Sequence, residues 1–463
     1  MEPVLIGIGA YLLVQFAFGI AVSRRIATET DYVLAGRKLG VGLAAFSIFA
    51  TWFGAETVVG AAGAIYSDGL SGGSADPFGY GVCLVVIGLA IAAPLWRRKY
   101  TTFGDLFRER FGTGVERLAV VLMIPTSIIW AAAQIRAFGQ VVSASSDLEV
   151  EVAITAAAAF VVVYTVAGGL LADVVTDFVQ GVAVIVGLVL LLVAVGQANG
   201  GGVAELVGLI DPARLDMFAI EGTSLLEVAE AWAVPIFGSL LAVELLTRIL
   251  GCRSAETARN ATLIGAAIYL SVGSIPVVLG LAGPALVPAL DEPEQLIAVL
   301  AQQHLTTFLY VLFAGALISA ILSTVDSCLL AAGSLAAHNI ILPVKPKLSE
   351  REKIWCARGC VIGFGVIAYV IALYASGIYE LVATASAFGS AGIFVVGLFG
   401  LFTTFGRAAS AYAALVTGMV VWVVGEFVLA WPTPYLASIA SALVAYVGAA
   451  RATTWLPQAR MEH

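Results

Sequence analysis

Long hydrophobic runs separated by short polar segments are the dominant pattern of this 463-residue chain. A helix needs about 20 apolar residues to cross the hydrocarbon core of a bilayer, and runs near that length recur along the chain. The pattern therefore predicts an all-α polytopic membrane protein with thirteen spanning helices in a single domain. Their expected ranges are 4–23, 40–66, 78–96, 116–144, 152–168, 173–197, 226–249, 259–283, 304–340, 353–374, 379–402, 409–429 and 431–450.

The composition agrees with a membrane protein and excludes several classes of function. Hydrophobic residues make up 60% of the chain and charged residues only 12%, against about 25% charged in soluble domains. A net charge of −8 argues against nucleic acid as a partner. The five cysteines and three histidines are scattered, and no phosphate loop or nucleophile elbow occurs. We therefore expect a transporter or channel for a small solute, embedded in lipid, and not an enzyme.

The basic residues predict how the chain is oriented. With the N-terminus outside, every lysine and arginine except Arg136 and Arg214 falls in a loop or tail on the inner side. The positive-inside bias then predicts a cytoplasmic C-terminus in a plasma (inner) membrane. Neither a removable signal peptide nor an attached soluble domain is expected.

Two predicted spans contain features that interrupt a helix. The second span carries Gly54 and Glu56 near mid-membrane, and the seventh carries Pro235 and Gly238. Glycine weakens a helix and proline removes one of its hydrogen bonds. A pair of broken helices is typical of inverted-repeat transporters, whose binding sites form at the breaks. Ordinary packing of small residues between helices is the alternative.

The ninth span places Ala320, Ser323 and Thr324 on one helix face. Two hydroxyls, together with carbonyls freed by an unwound neighbouring helix, are oxygen ligands of the kind that a sodium ion needs. Alternatively, both hydroxyls bond carbonyls of their own helix, as membrane Ser and Thr commonly do.

Other charged residues inside the predicted spans are placed where they could form ion pairs. Glu244 precedes Arg248 by four residues, which suits an ion pair on one helix. Glu56 and Arg136 lie at comparable depth in the outer half of the membrane, by residue count along their spans. We expect either that these two pair and close an outer gate, or that Arg136 meets a carboxylate of the solute.

Three ordered motifs resemble those of the sodium/solute symporter family. They are 31–37 (DYVLAGR), the segment from Gly168-Gly169-Leu170 to 176–180 (TDFVQ), and 323–327 (STVDS). The resemblance extends to about Tyr379 and implies the LeuT-type fold of five plus five inverted helices. The repeats would occupy about 40–197 and 226–402, with flanking helices 4–23, 409–429 and 431–450.

The resemblance also implies a set of sodium ligands. Carried over by motif, these are the carbonyls of Ala50, Phe53 and Ala320 and the hydroxyls of Ser323 and Thr324. Asp177 matches a position that holds a second cation or lines the exit path in some members, and an ion pair with an inner arginine is the alternative.

Within the family, the chain most resembles the high-affinity choline transporters. Trp52 and Trp130 match aromatic positions of that branch, whereas two further tryptophans of its cage are replaced by Ala242 and Val382. Tryptophan faces attract ammonium groups by cation–π interaction. The expected solute-binding residues are Trp52, Glu56, Trp130, Gln134 and Arg136.

These features together predict a sodium-coupled symporter that imports an ammonium-bearing or zwitterionic solute, such as choline, betaine or an amino acid. Arg136 keeps open a carboxylate such as pantothenate as the alternative solute. An ion or solute channel is the alternative from another class, although no carbonyl filter or ring of charges is recognisable in the sequence.

Overall fold

The computed structural model describes a helical protein. The described residues are 6–7, 9–11, 13–14, 17, 27–144, 148–167, 169–218, 224–345, 347–375 and 377–455. They are almost all helical and form no β-sheet. Most of the predicted first span, 4–23, lies outside them.

We label the α-helices of the described residues α1 to α20 in chain order. The first ten are α1 (Glu29–Leu34), α2 (Val41–Trp52), α3 (Ala61–Asp68), α4 (Tyr80–Val86), α5 (Ala92–Arg97), α6 (Gly104–Phe111), α7 (Thr113–Ala144), α8 (Val150–Ala167), α9 (Leu170–Ala198) and α10 (Val203–Gly208). The other ten are α11 (Leu225–Ser239), α12 (Val243–Gly251), α13 (Ala255–Leu286), α14 (Leu296–His304), α15 (Thr307–Leu335), α16 (Glu350–Tyr374), α17 (Ile378–Ala387), α18 (Ser390–Phe402), α19 (Ala408–Val423) and α20 (Pro434–Trp455).

Short π-helical segments extend several of these helices, including those that form the longest candidate spans. They are Glu56–Gly60, Ser74–Gly79, Ile87–Ile91, Ala336–Ile341 and Val424–Val428. Within the described ranges, eight continuous helices are long and apolar enough to cross a membrane, or up to ten if each of two bent pairs counts as one span. The predicted number of thirteen spans stays a prediction.

One of these eight stretches runs from Glu56 to Arg97 and is too long for a single crossing. Its 42 residues correspond to about 63 Å at about 1.5 Å per residue, twice the hydrocarbon thickness. At Asp76 the backbone leaves the helical region, with φ −132° and ψ 126°. The chain therefore turns there, which agrees with the two spans predicted at 40–66 and 78–96.

Both predicted helix interruptions are confirmed. Helix α2 ends at Trp52, and Phe53 has non-helical dihedral angles (φ −97°, ψ 76°). Helices α11 and α12 meet at 42°, and their break follows Ser239. Pro235 lies inside α11, so the second break comes four residues after the proline.

A third break was not predicted from the sequence. The expected single span at 379–402 consists of α17 and α18, which meet at 42°. Gly389 separates them with φ +66°, a left-handed conformation that glycine adopts without steric cost. The expectation of one continuous helix at 379–402 was therefore wrong.

The broken α2 lies at the centre of the molecule. It packs against α9, α13 and α15, and α15 in turn packs against α7 and α9. The backbone before α2 is tied to the end of α12, because Leu39 N–H donates to Gly251 O (3.2 Å) and Arg253 N–H donates to Leu39 O (3.0 Å). These bonds hold the two broken spans together at one end.

Candidate ion and solute binding sites

The break in the second span depends on glycine for steric reasons. A Cβ atom at Gly54 would lie 2.3 and 2.8 Å from the carboxylate oxygens of Glu56 and 2.9 Å from the amide oxygen of Gln134. No side chain fits there without displacing both groups. The unwound backbone and the Glu56 carboxylate therefore form one local structure.

Ser323 joins the predicted sodium ligands Ala50 and Ala320 between α2 and α15, while the Thr324 hydroxyl bonds the Ala320 carbonyl within α15, as the alternative expects. Ser323 Oγ donates to the carbonyl oxygen of Ala50 at 2.6 Å and is 3.0 Å from that of Ala320. Thr324 Oγ1 lies 3.2 Å from the Ala320 carbonyl oxygen. Phe53, the fifth, is buried at the break, but its carbonyl makes no contact with this group that the structure records. The cluster contains only oxygen donors, which suits a hard cation such as sodium.

Arg248 lies at the centre of a second polar cluster, close to the first. Its guanidinium donates to Asp173 at 2.6 Å and to Asp177 at 3.2 Å, and to the hydroxyls of Ser47 and Ser327. All of these side chains are buried. A positive charge of the protein is therefore already in contact with Asp177.

The expected ion pair between Glu244 and Arg248 is wrong. Arg248 donates to the backbone carbonyl of Glu244 (2.9 Å), while the Glu244 carboxylate accepts from the Ser127 hydroxyl (3.2 Å). The guanidinium instead reaches across to α9, where two carboxylates compete for it. The four-residue spacing suggested Glu244 as the partner of Arg248. It could not reveal Asp173 and Asp177, because these lie on another helix.

Replacing Arg248 with methionine should strongly destabilise the protein. The substitution leaves Asp173 and Asp177 buried without a cation, and breaking a buried ion pair costs about 3–5 kcal/mol. We expect a large drop in the melting temperature of the purified protein. Arg253→Met, at an exposed arginine five residues along, is the matched control. A melting temperature for Arg248→Met equal to that of the control would contradict a structural ion pair.

An aromatic cluster surrounds the break on its other side. The rings of Trp52, Tyr80 and Trp130 have centroids 5.7 to 6.2 Å apart. The Glu56 carboxylate accepts from Trp130 Nε1 (3.3 Å) and from Gln134 Nε2 (2.6 Å). The indole N–H of Trp52 is buried and has no hydrogen-bond partner among the described residues.

A cavity of about 220 Å³ adjoins this cluster, and we name this candidate binding site the solute cavity. Three carboxylates line it, those of Glu56, Asp76 and Glu230, and none of its described lining residues is basic. Tyr80 and Tyr379 line the wall, whereas Trp52 and Trp130 pack against Tyr80 from behind it. The size and lining suit a small organic molecule with a positive charge.

The three carboxylates differ in how they are held. Asp76 accepts from the hydroxyls of Thr57 (2.8 Å) and Tyr269 (2.7 Å). Glu230 accepts from the backbone N–H groups of Tyr435 and Leu436 at the start of α20. Glu56 accepts from the side chains of Trp130 and Gln134 and from the backbone N–H groups of Gly54 and Glu56 at the break. None of the three is in an ion pair with a described residue.

Arg136 lies outside the solute cavity, and its predicted pairing with Glu56 is wrong in this conformation. Arg136 Nη1 donates to the carbonyl of Ala372 at 3.1 Å. Trp130 and Gln134 are four residues apart and share the helix face that meets Glu56. Arg136 is two residues beyond Gln134, or about 200° around the helix. Arg136 and Glu56 were predicted at comparable depths in the membrane, but the rotation around α7 places Arg136 on a different helix face from the one that meets Glu56.

Arg136 lies instead near Glu294, beside a larger cavity of about 450 Å³ that Glu292 and Glu294 line. Burial raises the pKa of the Glu294 carboxyl, and Arg136 partly offsets that rise. Ala55 lines the same cavity, so it extends to the break in the second span.

Sequence reasoning missed Tyr80, Asp76 and Glu230 in the solute cavity. Asp76 lay in a predicted loop, and Tyr80 was one aromatic residue in an apolar span. Glu230 carries a charge inside a predicted span, which is a signal that could have identified it.

Comparisons with known proteins identify relatives of this chain. The model of the family described as "Sodium:solute symporter family" matches residues 32–420. High-affinity choline transporter 1 of Drosophila melanogaster is 28% identical over 375 residues, which cover 76% of this chain and 59% of that transporter. The sodium/proline symporter of Staphylococcus aureus is 26% identical over 457 residues, covering 92% and 86%.

Two solved structures share the fold. A Na+-coupled sialic acid symporter in a substrate-bound outward-open state matches with a TM-score of 0.85 and 16% identity, over 99% of each chain. Mhp1, a nucleobase-cation-symport-1 family transporter in a closed conformation, matches with a TM-score of 0.61 and 16% identity, over 92% of this chain and 94% of that one. The predicted LeuT-type architecture is confirmed.

Proposed function

Since the chain belongs to the sodium:solute symporter family, we propose that it uses a sodium gradient to import a small organic cation. The observation that carries the proposal is the cavity beside the break in the second span. Carboxylates and the aromatic side chains of Tyr80 and Tyr379 line it, its described lining includes no basic side chain, and the oxygen cluster lies at the same break. The chain spans only 59% of the choline transporter, so choline itself is one candidate solute among several.

Sodium at the oxygen cluster would couple to the solute through the broken span. Ser323 on α15 contacts Ala50 at the end of α2, and Glu56 follows the same break. A cation bound there would order the unwound segment and with it the Glu56 carboxylate. One sodium ion moving down about 100 mV supplies about 2.3 kcal/mol, and a tenfold gradient adds about 1.4 kcal/mol. The sum of about 3.7 kcal/mol supports roughly 500-fold accumulation of a neutral solute.

The proposed solute carries an ammonium group. Tyr80 and Glu56 present a ring face and a carboxylate to the cavity, and cation–π attraction is worth about 2 kcal/mol when the cation is desolvated. A solute that is only a carboxylate, such as pantothenate, is disfavoured because Arg136 lies elsewhere. A zwitterion is also compatible if its carboxylate accepts from a hydroxyl of the cavity wall, such as that of Ser74.

The Arg248 cluster is proposed to act as a structural lock. Its guanidinium already supplies the positive charge beside Asp177, which supports an ion pair there in place of a second bound cation. The proposed orientation has the N-terminus outside and the C-terminus in the cytoplasm, in the plasma membrane, as the distribution of basic residues predicts.

The function is tested by melting the purified full-length protein in sodium chloride and in potassium chloride. A ligand present at 100 times its dissociation constant stabilises by about 2.7 kcal/mol. We expect a sodium-specific rise in melting temperature and a further rise with choline or betaine, and no further rise with pantothenate. Equal melting in both salts with every solute would contradict sodium coupling. Stabilisation by pantothenate alone would contradict the proposed solute class.

A further inference from the structure

We propose that Glu244 is a ligand of a second sodium ion, bound in a small cavity where the breaks of two spans meet. This inference rests on sodium coupling as proposed above. It concerns residues separate from the oxygen cluster of Ser323 and Thr324, and from the carboxylates that contact Arg248.

The first argument is an unpaired buried charge. Glu244 is only 3% exposed, and the Ser127 hydroxyl, at 3.2 Å, is its recorded side-chain partner. Among the described residues it takes part in no ion pair, because the Arg248 guanidinium contacts Asp173 and Asp177. An ionisable side chain inside a membrane protein is expensive unless a cation neutralises it.

The second argument is the cavity. Glu244 and Ser127 line a space of about 20 Å³, against about 220 Å³ for the solute cavity. A space of about 10–15 Å³ or more, measured in this way, holds one water molecule. A small inorganic cation fits there, whereas an organic solute does not.

The third argument is the electrostatics of the two breaks. Phe237 and Gly238, at the end of α11, and Phe388, directly after α17, line the same cavity. The last carbonyls of a helix lack partners within it and carry its negative partial charge. In transporters with broken helices, such C-terminal ends and unwound carbonyls coordinate sodium. The N-terminal ends of α12 and α18 reach the same space at Val243 and Ser390, so the helix ends contribute carbonyl ligands and the net negative charge of the space is that of Glu244.

The position of the cavity gives the ion a mechanical role. Each of the two breaks bends its span by 42°, and both contribute to the cavity wall. Helix α7 also lines the cavity, and its residue Thr126 donates to the carbonyl of Phe388 (3.2 Å), which joins α7 to the break between α17 and α18. A cation there would hold α7 and both hinges in one arrangement, and its release would free the hinges to move.

The experiment counts sodium ions bound to the purified full-length protein, with radioactive sodium at saturation and without solute. The wild-type protein is expected to bind two ions. Glu244→Gln is expected to bind one, at the oxygen cluster, whereas Thr324→Ala is expected to keep the ion at Glu244 and to bind the ion at the oxygen cluster at least about tenfold more weakly. Glu205→Gln, at an exposed carboxylate on α10, is the matched control and is expected to bind two.

Ser127→Ala provides a second test of the site in case the Glu244→Gln variant does not fold. It removes a single hydroxyl and should weaken one of the two ions about tenfold, and a single cooperative melting transition in potassium chloride shows that the variant is folded. One ion in both the wild-type protein and Glu244→Gln would overturn the second site and leave sodium coupling intact. No bound sodium in the wild-type protein would overturn both proposals.

Discussion

Thr324→Ala is expected to bind sodium at least about tenfold more weakly than the wild-type protein, a loss of about 1.4 kcal/mol. The substitution removes one oxygen from the cluster formed with Ala320 and Ser323. Folding should change little, because the lost hydrogen bond lies within α15 and alanine is a good helix former. Sodium titration of the melting temperature measures the effect.

Ser334→Ala is the matched control for this variant. Ser334 is a buried hydroxyl on the same helix, and its oxygen has no hydrogen-bond partner among the described residues. Its replacement should leave the sodium titration unchanged. If Thr324→Ala and Ser334→Ala gave the same sodium affinity as the wild-type protein, Thr324 would be a packing residue and the cluster would not be the ion site.

Glu56→Gln is expected to weaken binding of an ammonium solute about 100-fold, or about 2.7 kcal/mol. Removing one member of a desolvated charge pair typically costs about 2–5 kcal/mol. Glutamine keeps the size of the side chain and still accepts the Trp130 N–H bond, so the loss reports the charge. Binding of radioactive choline, or of the solute that most stabilises the wild-type protein, at saturating sodium measures it.

The specificity of this effect is checked in two ways. Glu205→Gln removes an exposed carboxylate and should leave solute affinity unchanged. The sodium affinity of Glu56→Gln should stay that of the wild-type protein in the absence of solute, because Glu56 is outside the oxygen cluster. Unchanged solute affinity in Glu56→Gln would show that the carboxylate does not face the bound cation.

The helix breaks illustrate how far local sequence signals reach. The break after Trp52 was predictable, since Gly54 weakens the helix next to a carboxylate that needs partners. Pro235 and Gly238 indicated the right span, although the helix continues through the proline and breaks after Ser239. The break at Gly389 was not distinguishable from the many packing glycines, because its positive φ is set by the tertiary fold.

The partners of charged residues illustrate where local reasoning ended. Arg248 was assigned to Glu244 on its own helix, and the fold directs it to Asp173 and Asp177 on α9. Arg136 was placed near Glu56 by depth alone, and helical phase turned it towards Ala372. Each correct partner is more than 70 residues away along the chain.

The sequence by itself determined the properties that depend on local composition and on short motifs. Apolar run length identified a polytopic helical protein, and the motifs identified the family and the residues of α15 that we propose as sodium ligands, because membrane insertion and helix periodicity are local. Only the tertiary structure decided which polar groups meet. It brought Ser323 to Ala50, placed Tyr80 and Glu56 in the wall of one cavity, and separated Arg136 from that cavity. Such contacts depend on the rotation and crossing of helices, which are set by packing over the whole molecule.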